Sequence, residues 1–138
     1  MKRIVLWIIL FVSVSRLSAS QIEVCSTCPV STISKAFEVA QNGDEVILKA
    51  GVYKEHDLDL KKSIKLKGID NPVIDGELLG AILSVSADSF SIEGITFRNV
   101  GQSYTKDFAA ILVSRSNHFT IENNTLENVF FGILIEKS

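Results

Sequence analysis

The sequence predicts an all-β chain: a right-handed parallel β-helix, or β-solenoid, with coils of about 22 residues and one helix capping its N-terminal end. Three observations lead there. After Gly43 the chain consists of short β-rich runs bounded by Gly, Asn, Asp or Ser. A block of about 20 residues recurs along it. One amphipathic segment precedes the runs, and no later segment is long enough for a βαβ crossover.

The first residues stand apart from this pattern. Met1-Lys2-Arg3 is basic, Ile4 to Val14 is almost wholly apolar, and Ser15 to Ser20 is small and polar apart from Arg16 and Leu17. That is the layout of a secretory signal peptide over residues 1–20, cleaved near Ala19 or Ser20. The apolar run is shorter than the roughly 20 residues of a membrane span. Cys25 follows Ile22-Glu23-Val24 instead of a run of small residues, so the pattern is that of a soluble exported protein and not a lipoprotein. Without Lys2, Arg3 and Arg16 the mature chain carries a net charge of about −5. An acidic chain gives nucleic acid and anionic membranes no electrostatic handle. The Lys61, Lys62, Lys65, Lys67 cluster reads as a solvated strand face.

Thr32 to Asn42 predicts the helix. Ile33, Ala36, Phe37 and Ala40 recur at i, i+3, i+4 and i+7, Ser31 or Thr32 can cap the start, and Gly43 suits the end. The predicted strands then run over 45–49, 63–67, 72–74, 82–85, 90–92, 95–97, 111–113, 119–121 and 132–135.

The repeat decides the topology. Ala81–Val100 laid on Ala110–Val129 matches at nine positions, among them Ile82/Ile111, Phe90/Phe119, Ile92/Ile121, Glu93/Glu122 and Asn99/Asn128. A further copy starts at Gly132, 22 residues on, and Gly101–Ala109 reads as a loop inserted between coils. An earlier copy is visible where Lys62–Ile69 resembles Asp88–Ile95. Stacked coils put like residues over like. Alternation then predicts inward columns Leu83/Ile111/Ile133 and Val85/Val113/Ile135, with a one-residue slip at a turn, beside Phe90/Phe119, Ile92/Ile121 and Phe97/Leu126. Asn99 and Asn128 share a turn position and read as structural. The helix would cover one end of the solenoid. The sequence stops in mid-coil at Glu136-Lys137-Ser138, so residues 21–138 read as the N-terminal part of a longer β-helix domain.

Cys25-Ser26-Thr27-Cys28 is the one chemically loaded motif. In an exported protein it is a local disulfide, half of a soft-metal site, a redox pair, or two unrelated thiols. Cys25 and Cys28 are the candidate metal ligands. His56 and His118 read as surface residues, and Met1 leaves with the leader. The acids Asp57, Asp59, Asp70, Asp75, Glu77, Glu93 and Glu122 are scattered. Only Glu93 and Glu122 stack as repeat partners, and both face outward after an inward isoleucine. No catalytic grouping stands out, and the chain reads as a non-enzyme.

Gly43–Glu55 resembles the opening coil of the pectin-lyase-like β-helices. With Lys67-Gly68, Pro72–Gly76, Phe90–Gly94, Asn123–Asn128 and Phe131-Gly132-Ile133 in that order, the helix first and the loop at Gly101–Ala109, nearly the whole mature chain is similar to the NosD-type nitrous oxide reductase maturation proteins. The single motifs are shared by β-helices of the carbohydrate-binding and sugar-hydrolase type. The resemblance implies a periplasmic, copper-binding accessory protein. Its implied partners are ABC transporter components and nitrous oxide reductase, whose copper-sulfide centre such proteins help to mature. It supplies no ligand motif for this chain, so a copper site on Cys25 and Cys28 would be incomplete here. The alternative is a carbohydrate-binding or carbohydrate-active β-helix protein. Few exposed aromatics for sugar stacking, and the absence of a carboxylate and arginine cluster in the sequence, count against it.

Overall fold

The computed structural model describes residues 19–137. The leader assigned to residues 1–20 lies outside the described residues up to position 18.

The chain is a parallel β-helix. It opens with β1 (Gln21–Val24) and the helix α1 (Ile33–Val39). Four coils of three strands follow: β2 (Glu45–Leu48), β3 (Val52–Lys54) and β4 (Leu58–Leu60); β5 (Lys65–Gly68), β6 (Val73–Asp75) and β7 (Leu83–Val85); β8 (Ser91–Glu93), β9 (Thr96–Arg98) and β10 (Ala109–Ser114); β11 (Thr120–Glu122), β12 (Thr125–Glu127) and β13 (Phe131–Glu136). Each coil gives one strand to each of three parallel sheets, ordered β1-β2-β5-β8-β11, β3-β6-β9-β12 and β4-β7-β10-β13.

The predicted columns are present. Phe97 pairs with Leu126 and Ile92 with Ile121, while Leu83 and Val85 stand beside Ile111 and Val113, which stand beside Ile133 and Ile135. The Phe90 and Phe119 rings stack with centroids 5.0 Å apart. The slip lies after β7: Val85 aligns 28 residues before Val113, yet Ser91 aligns 29 before Thr120. The coil repeat is looser than the expected 22 residues, from 20 between Glu45 and Lys65 to 29 between Ser91 and Thr120. Only the strands must stack, so the turns absorb the difference. The loop at 101–108 is one such insertion, with Tyr104 fully exposed at its tip.

Many turns place a residue in the left-handed region, where Asn and Gly are least strained. Gly94 (φ +73°) and Asn123 (φ +56°) occupy one column, Asn99 (φ +60°) and Asn128 (φ +51°) another. Gly94 lies so close to the coil before it that a β-carbon there would sit 2.7 Å from the Gly68 carbonyl oxygen.

The sequence pattern missed β1, β3, β4 and β12. It also drew α1 too long. The helix ends with Ala40 already extended, and Gly43 closes a separate turn in which the Asp44 N–H donates to the Gln41 carbonyl. Ile33, Ala36, Phe37 and Ala40 are buried in the single core with Val24, Val46 and Leu58, so α1 does plug one end of the solenoid. Its ends are clamped by the first full coil. Glu55 accepts hydrogen bonds from the Ile33 and Ser34 N–H groups at 2.8 and 3.0 Å, beside the Thr32 cap. Lys62 donates to the Phe37, Glu38 and Ala40 carbonyls at 2.6–2.8 Å. Lys62 therefore belongs to the helix clamp and not to a solvated face. A carboxylate at the N-terminus and an ammonium at the C-terminus both match the helix dipole.

Replacing Glu55 or Lys62 with Ala is expected to cost about 1–2 kcal/mol each, read as a lower urea midpoint. Gly94→Ala is expected to cost about 1–3 kcal/mol, measured the same way, because both its backbone angle and its closeness to Gly68 exclude a side chain.

Candidate functional site

The cysteine pair sits on the tight link between β1 and α1. The strand ends at Val24, the chain turns with the Cys28 N–H donating to the Cys25 carbonyl at 3.1 Å, and Val30 returns to form a parallel bridge beside Val24. This turn brings the two Cα atoms to 5.0 Å, and the sulfurs are joined in a disulfide. Both cysteines are half-buried, while Ser26 and Thr27 between them are exposed. The Thr27 hydroxyl lies 3.6 Å from the Cys25 sulfur.

Copper is the metal that the resemblance implies. In the disulfide neither sulfur is a thiolate, so the pair offers a metal nothing in this state. After reduction it would supply two soft sulfur ligands, which suit Cu(I). No group of three or more His, Cys, Asp or Glu side chains fit to hold a metal occurs among the described residues. Cys25 and Cys28 thus fit copper only as a dithiol and only as two ligands. His118 is exposed on a turn at φ +56°. His56 lies in the link between β3 and β4, with Nδ1 2.7 Å from Asp57 Oδ2.

Sequence reasoning grouped Asp75 with scattered acids, but the structure makes it a hub. Its side chain is almost buried and takes hydrogen bonds from the Glu77 N–H at 2.8 Å and from Arg98 Nε and Asn99 Nδ2 at 3.0 Å. Asn128 Nδ2 donates in turn to Asn99 Oδ1 at 2.9 Å, which extends the chain across three coils. Burial pushes the Asp75 carboxyl up, and the Asn99 amide, the Glu77 N–H and Arg98 together outweigh it and hold the carboxyl below its ordinary range. Asp44, also buried, is held low chiefly by the Gln41 N–H, assisted by that of Ser20. A carboxylate saturated with donors is a poor proton acceptor, so both read as structural. The signal available in the sequence was the column itself: Asp75-Gly76, Arg98-Asn99 and Glu127-Asn128 are repeat partners.

Glu93 and Glu122 are register neighbours on the outside of the first sheet, and Glu93 faces Lys67 at 3.9 Å. A cleft of about 810 Å³ runs beside the third sheet, lined by Lys61, Ser86, Ser114, Arg115, Glu136 and Lys137. No buried side-chain polar atom lacks a hydrogen-bond partner among the described residues. None of their helices is long and apolar enough to cross a membrane. Comparison with protein-family models, with curated proteins and with solved structures found no match.

The Asp75 hub gives stability a pH dependence of known sign. A carboxyl held low stabilises the fold above its unfolded value of about 3.9, and this contribution is lost as pH falls through the lower folded value. Asp75→Asn is expected to cost about 1–3 kcal/mol at neutral pH. It should also flatten the fall of Tm below pH 4, as followed by circular dichroism.

Proposed function

We propose that this protein is an exported accessory factor, acting in the periplasm beside an ABC transporter in the maturation of the copper centre of nitrous oxide reductase. The observation that carries the reading is the order of its sequence motifs, with the helix first, the Gly43–Glu55 coil next and the Gly101–Ala109 loop between later coils. A stacked β-helix suits such a role physically. It is a stiff rod whose side faces offer continuous surfaces for docking. The Cys25–Cys28 pair lies at one end of that rod and, once reduced, has the donor chemistry for Cu(I).

A second reading keeps the chain among the carbohydrate-binding β-helices. The cleft favours it, since Arg115 and Lys137, with Lys61 paired to Asp59, outnumber the one lining carboxylate, Glu136, and the Ser86 and Ser114 hydroxyls suit a sugar chain.

Two measurements separate these. Nitrous oxide reductase produced without this protein is expected to lose most of its copper and its visible absorption, and to regain both when the gene is restored. Unchanged copper content would refute the maturation role, and saturable binding of a polyuronate would support the second reading. The reduced protein is expected to hold one Cu(I) against a competing chelator and to lose it in Cys25→Ser/Cys28→Ser. Equal weak binding in both would remove the cysteines from any metal role.

A further inference from the structure

We infer that the Cys25–Cys28 disulfide is a thiol–disulfide exchange site for a cysteine on an extended segment of a partner protein. The inference is independent of copper and concerns the oxidised pair.

Three features converge at this end of the molecule. The first is an available strand edge. β1 is the outermost strand of its sheet, and among the described residues only the single Val24–Val30 bridge lies on its far side. The Ser20 and Val24 carbonyls accept from Glu45 and Lys49 of the next coil. Bonding alternates along a parallel strand, so Gln21 and Glu23 turn their backbone groups away from β2; Val30 faces the Glu23 carbonyl, and the Gln21 groups with the Glu23 N–H are left for an extended peptide to pair with. The second is a groove of about 520 Å³ along that edge, with Ile22, Pro29, Val30 and the exposed Val39 as its apolar lining. The third is the position of the two cysteines. Cys28 lines the groove and Cys25 does not.

This asymmetry sets the direction of the chemistry. A thiolate on the docked segment attacks the Cys28 sulfur, and a new S–S bond forms there. The Cys25–Cys28 bond breaks, and its electron pair leaves on Cys25. The partner's sulfur is oxidised and the Cys25 sulfur reduced, and Cys25 takes up the proton the attacking thiol gave to solvent. In the disulfide the Cys25 sulfur carries no hydrogen, so the Thr27 hydroxyl 3.6 Å away is the donor of that pair and is placed to stabilise the departing thiolate. The disulfide itself is the oxidant.

The test uses the oxidised protein, with two thiols compared at equal concentration: a peptide of alternating valine and threonine with one central cysteine, and glutathione. Acid-quenched samples are read by mass spectrometry and peptide mapping. The expected result is a mixed disulfide on Cys28, formed at least ten-fold faster with the peptide. Val39→Asp, on an exposed position that leaves the circular dichroism spectrum unchanged, should abolish the peptide's advantage while leaving the glutathione rate intact. Thr27→Val should slow both thiols. Equal rates for peptide and glutathione, capture on Cys25, or a Val39→Asp protein that still prefers the peptide would each overturn the inference.

Discussion

The backbone of each inner strand in this chain is satisfied by the coil before it and the coil after it, and the rest of the structure depends on that ladder. A three-residue strand cannot hold itself, and among the described residues no hairpin closes a strand on its neighbour in sequence. Pairing of β5 with β8, for instance, fixes Lys65 to Ser91, Leu66 to Ile92 and Lys67 to Glu93. A slip of one residue would turn Ile92 outward and Glu93 into the core, so the hydrophobic columns and the backbone ladder enforce the same register.

That shared constraint explains which parts of the sequence are free. Strand positions must repeat, and turns need only return the chain to the next rung. The third coil holds the 101–108 loop without disturbing the ladder from β7 to β10 or from β9 to β12. Where coils approach closely, the turns become strict again. Asp75, Asn99 and Asn128 form a polar chain along one edge, parallel to the Tyr53, Ile74, Phe97 and Leu126 column inside. The buried carboxylate and its donors do for the turn what the isoleucines do for the core: each coil is complete only against its neighbours.

This is also why the fold was legible and the site less so. Stacking writes itself into the sequence as recurrence, and the Lys62–Ile69 copy foretold the β5–β8 register correctly. Strands outside the recognised repeats were lost. β3 and β4 have only Val52-Tyr53-Lys54 and Leu58-Asp59-Leu60 to announce them, and β1 is separated from its partner β2 by the whole helix. The clamp was invisible for a related reason. Glu55 and Lys62 act on α1 from more than 20 residues away, and nothing in their local sequence distinguishes them from solvated charges. The cysteine spacing left a local disulfide, a metal site, a redox pair and two unrelated thiols open, and the turn between Val24 and Val30 brings the sulfurs within bonding distance.

The helix and the cysteine turn answer one problem at the same end of the rod. A solenoid's first coil has an interior with nothing above it and a strand edge with no partner. α1 covers the interior with Ile33, Ala36 and Phe37, held by charges from the coil beneath. The edge of β1 is treated differently. Among the described residues Val30 bridges only Val24, and the groove continues past Ile22 with Cys28 among its lining residues. Blunting an edge takes charge, proline or a cover, and here Glu23 and Pro29 supply part of that while the disulfide shortens the loop that could have supplied the rest. The cover is spent on the apolar interior, where exposure costs most. What is left over is a short strand edge beside a disulfide, both at the end of the β-helix that α1 covers.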